Sequence, residues 1–202
     1  MISVLTCMFL QITVVIRYFK KIQWDSIIVP ALVSFITTSI GVHLMVGFSS
    51  STMAILLGIF LWILALYLIF ISPRVHLSKN IPTKVAVGAL SGFTGGMFAV
   101  GGPPMVAYYN SVIDDSITYQ ATIQTYFFIT SIVILINDLM YTKFTVKLAS
   151  LSVASVFGCL IGTFIGTKIL NKISMTTVRK IAYTVMILAG TYNLIKGFIQ
   201  IN

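Results

Sequence analysis

Gly101-Gly102-Pro103-Pro104 is where this 202-residue sequence holds most chemical potential. Glycine leaves the backbone permissive, and two consecutive prolines remove two N–H donors and disfavour helix in the residue before them. Proline is well tolerated at the first position of a new helix. The spacing therefore predicts a half-helix from about 84 to 98, an unwound stretch, and a second half-helix starting near Pro103. A helix start exposes unpaired N–H groups and about half a unit of positive charge, which suits an anion and needs no lysine. Gly95, Gly96, Gly101, Gly102, Pro103 and Pro104 form the backbone of this candidate binding site. Tyr108 and Tyr109 follow within two turns and add donors, with Ser91, Thr94 and Asn110 also nearby.

A second polar set lies beyond a short turn. Gln120 and Gln124 are four residues apart, so a helix places them on one face, an unusual use of amides in an apolar segment. Thr6, Gln11 and Thr13 decorate an earlier apolar segment in the same manner. Helix–helix hydrogen bonding is the simpler account of any one threonine or glutamine. The Gly101–Pro104 break is harder to explain as packing alone.

Other chemistry finds little foothold. His43 sits in an apolar run and reads equally as a proton relay or a hydrogen-bonded packing residue. Glutamate is absent, and Asp25, Asp114, Asp115 and Asp138 all lie near segment ends, so a mid-membrane carboxylate relay has no member. Cys7 and Cys159 both fall inside apolar runs and read as small buried thiols. No nucleophile-elbow, zinc-protease or phosphate-loop pattern occurs, so an enzyme, a metal site and a cofactor are not expected.

The elements that must hold these residues are dictated by composition. The chain is 58% hydrophobic and 8% charged, where a soluble domain has about a quarter charged residues. Apolar segments run about 2–19, 26–46, 52–71, 85–113, 117–139, 147–168 and 178–199. Lengths near 20 residues match a helix crossing about 30 Å of hydrocarbon, whereas barrel strands would be half as long and alternating. The net charge of +9 comes from thirteen Lys and Arg residues near the ends of these runs, as membrane anchors rather than a nucleic-acid surface. The fold class expected is an all-α integral membrane protein, multi-pass in the cell membrane, with about seven elements in a single membrane domain. Its partners are the lipid bilayer and a small anionic solute; a homo-oligomer is compatible with it, and nucleic acid is not expected.

The chain also repeats itself faintly. Ser34 and Gly41 match Ser155 and Gly162 at a separation of 121 residues, and Ile63-Leu64-Ala65 recurs as Ile187-Leu188-Ala189. On this register 1–82 is a first repeat and 83–202 a second, which alone opens with the glycine-rich segment. The first repeat is thus expected to be incomplete at its N-terminus by roughly 35–40 residues. Arg17, Lys20 and Lys21 follow the first segment, whereas Lys168, Lys172, Arg179 and Lys180 follow a later one. The shift in the basic loops favours halves that face opposite ways, with the glycine-rich element a re-entrant hairpin.

The run Ser91-Gly-Phe-Thr-Gly-Gly-Met-Phe-Ala-Val-Gly-Gly-Pro-Pro-Met-Val-Ala-Tyr-Tyr109 resembles the TauE/SafE family of membrane proteins, often called sulfite exporters. Trp24-Asp25 at a helix start after a short basic turn is similar to that family's first repeat, and the likeness spans essentially the whole chain. The resemblance implies transport, commonly export, of sulfite or small organosulfur anions. Family members carry a glycine-rich segment at the head of both repeats, and this sequence has only the second. The alternative expectation is a truncated, non-transporting membrane subunit or remnant of such a transporter; an ion channel is a third.

Overall fold

A bilayer offers no water to unpaired backbone groups, and this chain meets that constraint with helices. The structure, a computed structural model, describes residues 2–71, 77–141, 151, 154–162, 165 and 175–200. The elements are α1 (Ile2–Arg17), a 3-10 turn (Phe19–Lys21), α2 (Trp24–Gly47), and α3 (Ser50–Leu66) with a π-helical continuation (Tyr67–Ile71). There follow α4 (Ile81–Phe98), α5 (Gly102–Val112), α6 (Ser116–Tyr141) and α7 (Met175–Ile199). No strand occurs among the described residues. Trp24–Gly47, Ser50–Phe70 and Ser116–Met140 are long and apolar enough to cross a membrane. The expected segment 147–168 falls largely outside the described residues, of which 154–162 are helical.

Helix starts follow capping chemistry. Asn80 accepts a 2.9 Å hydrogen bond from the Thr83 amide and starts α4, so Pro82, expected in the loop, belongs to the first turn. Asp115 Oδ2 accepts from the Thr118 amide at 2.8 Å and its hydroxyl at 2.6 Å. These bonds hold the exposed Asp115 carboxyl below the usual carboxylate range. The lowered value means that this support for α6 is present above the unfolded pKa and fades as pH falls through the folded one.

The chain divides into two compact units, one formed by Met1–Met45 with His76–Cys159 and the other by Val46–Val75 with Leu160–Asn202. In the first, α4 lies parallel to α2 along a seam of small residues. A Cβ added to Gly88 would meet the Pro30 Cα at 2.7 Å, and one on Gly92 would meet the Ser34 Cα at 2.6 Å. One on Gly96 would overlap the Thr38 carbonyl, while Gly41 of α2 would collide with the Phe93 carbonyl at 2.6 Å. The four-residue spacing therefore brings backbone against backbone, the arrangement that drives helix association where no hydrophobic effect operates. Thr38 adds a cross-helix bond to the Gly92 carbonyl at 3.1 Å. At the start of α2, Lys84 Nζ donates to the Asp25 carbonyl at 2.7 Å, and Lys79 pairs with the Asp25 carboxylate at 2.7 Å.

α5 doubles back beside α4, so Tyr109 near its end returns to Ser26 near the start of α2. Both ends of the α4–α5 hairpin thus lie at one end of the unit. α1 runs antiparallel to α6: Ser131 meets Gln11, and Thr122, earlier in α6, meets Gln23 beyond the end of α1. In the second unit α3 and α7 are also antiparallel. Gly58 abuts Gly190 and Leu194, Gly197 abuts Ser51 and Ile55, and Trp62 donates to Thr191 at 3.2 Å.

Overpacking a close helix contact costs about 1–3 kcal/mol. Gly88→Ala is therefore expected to lower the melting temperature of the detergent-purified protein. Gly47→Ala, whose added carbon meets nothing within 4 Å, should leave it unchanged.

Candidate functional site

The hairpin turns through three residues. α4 ends at Phe98, where Ala99 adopts the left-handed conformation with φ 57°. The Ala99 amide bonds to the Gly95 carbonyl at 2.9 Å and the Val100 amide to the Thr94 carbonyl at 3.4 Å. These bonds satisfy the helix end, although left-handed alanine costs roughly 1 kcal/mol. No described glycine has positive φ, so the glycines here do not supply the unusual torsion. Gly101 serves instead to let chains approach: a Cβ there would sit 2.6 Å from the Ser91 carbonyl and 3.2 Å from Gly95 Cα.

α5 begins at Gly102, with Gly101 as its cap and no side chain bonded to the open donors. A helix leaves four N–H groups open at its start. Pro103 and Pro104 have none, so the open donors are those of Gly101 and Gly102. Among the described residues, no backbone hydrogen bond outside the helices uses either one. The turn is held from two sides. Ser91 Oγ donates to the Gly101 carbonyl, and the fully buried Tyr126 hydroxyl donates to Ser91 Oγ at 3.1 Å.

Beside the turn lies a cavity of about 250 Å³ within the first unit. Gly95, Ala99, Gly101 and Gly102 form its hairpin wall, and Thr38 and Ser91 add hydroxyls. α1 contributes Ser3, Cys7 and Gln11, and α6 contributes Thr130 and Ser131 with the apolar Phe127 and Ile134. Thr38 lies about 20 Å along α2 from its start, by the helical rise, and Ser3 and Cys7 on the α1 side of the cavity are exposed. The described lining is neutral and largely apolar, with hydroxyls, one amide and backbone groups set among it.

The residues expected from the sequence separate into three groups. Gly95, Gly101 and Gly102 line the cavity, while Pro103 and Pro104 form the first turn of α5 behind it. Gly96 is packed against Thr38. Tyr108 and Tyr109 are fully buried in the apolar core with Met105 and Tyr126, away from the cavity lining. The Tyr108 hydroxyl has no hydrogen-bond partner among the described residues. Gln120 is exposed and Gln124 half-buried, and neither lines the cavity. Thr38, Thr130, Ser131 and Cys7 were not singled out as lining residues. Thr38 and Ser131 each lie deep in a long apolar helix, a signal that a hydroxyl there faces protein or a polar space.

Tyr109 has a different task. Pro30 lies inside α2, and its missing N–H leaves the Ser26 carbonyl without its helical donor. The Tyr109 hydroxyl donates to that carbonyl at 3.4 Å. The hairpin's second arm thereby repairs the proline defect in α2.

Helical membrane transporters commonly build their substrate sites from discontinuous helices of this kind. Residues 1–193 match the family model described as Sulfite exporter TauE/SafE, and the chain belongs to that family of membrane transporters. No curated protein and no solved structure matches the chain.

Leaving a buried carbonyl unpaired costs about 1–3 kcal/mol, so Tyr109→Phe is expected to destabilise the detergent-purified protein measurably. In a Pro30→Ala background the helix regains its own donor. The same Tyr109→Phe change should then cost less than half as much in a double-mutant cycle of thermal melts. Equal costs in both backgrounds would contradict the repair.

Proposed function

We propose that this chain carries a small oxyanion, sulfite or a small organosulfonate, across the cell membrane as a multi-pass exporter, with the cavity beside Gly101 and Gly102 as the solute site. One observation supports the reading: Gly101 and Gly102, whose N–H groups take no backbone partner outside the helices, and Gln11 line one cavity, with no lysine or arginine among its described lining residues. Such donors recognise an anion without trapping it as a fixed cation would.

The hairpin is read as re-entrant. Both its ends lie at the end of the unit that carries Lys20, Lys21, Lys79 and Lys84, which the positive-inside rule assigns to the cytoplasm. The solute then meets the turn from a point inside the membrane. The two repeats are read as inverted. α1 and α6 are counterparts on the repeat register, as are α3 and α7, and each pair packs antiparallel. Antiparallel packing of counterparts is what a two-fold axis in the membrane plane produces, and alternating access exploits that symmetry.

Deleting the gene is expected to raise intracellular sulfite and sensitivity to it, and re-expression should restore efflux. A Cβ on Gly102 meets only Phe127 Cζ, at 3.6 Å, so Gly102→Ala should fold while its methyl intrudes on the donors. Its efflux rate should fall about tenfold, the equivalent of one good hydrogen bond. Unchanged efflux on deletion would remove sulfite as the solute. Purified protein that binds no small anion would point instead to a non-transporting membrane subunit.

A further inference from the structure

The charge state that the cavity accepts follows from its lining, on the reading above that it is the solute site. Cys7 is the titratable residue among the described residues of that lining, and the Cys159 thiol lies close enough to interact with it. The charged groups of the surrounding elements lie elsewhere: Arg17 at the end of α1, Asp25 and His43 on α2, Lys84 on α4, Asp138 on α6. Asp114 and Asp115 lie in the turn before α6, and Lys20 and Lys21 in the turn after α1. Tyr108 and Tyr109 on α5, and Tyr119 and Tyr126 on α6, are also outside the lining. The cost of taking an ion out of water grows with the square of its charge, so a dianion carries about four times the penalty of a monoanion. Two amide N–H groups and one glutamine offset a single negative charge far better than two.

The hydroxyls point the same way. Thr38 Oγ1 donates to the Gly92 carbonyl at 3.1 Å and Ser91 Oγ to that of Gly101. Thr130 Oγ1 donates to the Tyr126 carbonyl at 3.2 Å, and Ser131 Oγ to Gln11 Oε1 at 3.3 Å. A hydroxyl has one proton and two lone pairs. With their protons engaged, Thr38, Thr130 and Ser131 offer the solute lone pairs, and Ser91 offers the one that Tyr126 leaves open; Ser3, the fifth lining hydroxyl, is exposed. Lone pairs repel a fully deprotonated oxyanion and bind one that still carries a proton. The Gln11 amide, its oxygen already accepting, is left to present N–H donors.

We infer that the cavity selects a singly charged oxyanion that retains a proton, such as hydrogen sulfite, and rejects dianions of the same size. Protonation of the solute then governs recognition, with the protein's own charges unchanged. A sulfite dianion would have to take up a proton before it enters the cavity and release it after leaving.

Isothermal titration of the purified full-length chain with sulfite and with sulfate tests this, at pH values on either side of the second ionisation of sulfite. The melting temperature without ligand controls for stability at each pH. Sulfite affinity is expected to weaken about tenfold per pH unit above that ionisation, following the fraction of monoanion. Sulfate, divalent throughout, should bind at least about tenfold more weakly than hydrogen sulfite. Gln11→Lys places a cation in the lining and should gain sulfate binding. Sulfate binding equal to that of sulfite, or sulfite binding that tightens as pH rises, would overturn the inference while leaving an anion site in place. No binding of either anion at either pH would instead sink the transport reading on which it rests.

Discussion

The whole arrangement depends on the fate of backbone groups that lose their helical partners where water is absent. Two places in the first unit break the helical ladder, Pro30 in α2 and the turn between α4 and α5. At each, a side chain adds a hydrogen bond. Tyr109 reaches back to Ser26, and Ser91, itself bonded by Tyr126, donates to the carbonyl of Gly101. The N–H groups of Gly101 and Gly102 stand apart from these bonds, and both residues line the cavity.

That pair of donors is useful only if the turn stays where it is. Its position follows from the seam between α2 and α4, where Gly88, Gly92 and Gly96 bring the backbones into contact with Pro30, Ser34 and Thr38. Close packing of this sort leaves little room for the arm to slide, because one residue of slip would set a side chain against backbone. Gly101 extends the same logic past the helix end, fitting under Ser91 where a Cβ would not. Packing and hydrogen bonding are thus one construction: small residues fix the arm, and the arm fixes the turn beside the cavity.

Much of this was legible in the sequence, and the failures have identifiable causes. The proline pair located the break, because it is a local consequence of covalent geometry. The left-handed residue was not foreseen. It is Ala99, held by the bonds of its cap, rather than either glycine. Tyr108 and Tyr109 were placed at the site by proximity in sequence, but helical rise carries them toward the far end of the arm and into the core. Gln120 and Gln124 share a face as their spacing requires, yet which face meets the cavity depends on tertiary packing that spacing does not encode. Gln11 does line the cavity, as do Thr38 and Ser131 from helices distant in sequence. The family was readable from the hairpin motif alone, and the match over residues 1–193 establishes it.

The central claim is that the amides of Gly101 and Gly102 bind the anion. Selective 15N-glycine labelling of the purified protein lets those two amide resonances be followed as sulfite is added near neutral pH. Both should shift together and saturate at the concentration that saturates binding, with the Gly47 resonance unmoved. Saturable sulfite binding that leaves the Gly101 and Gly102 amides in place would contradict the account.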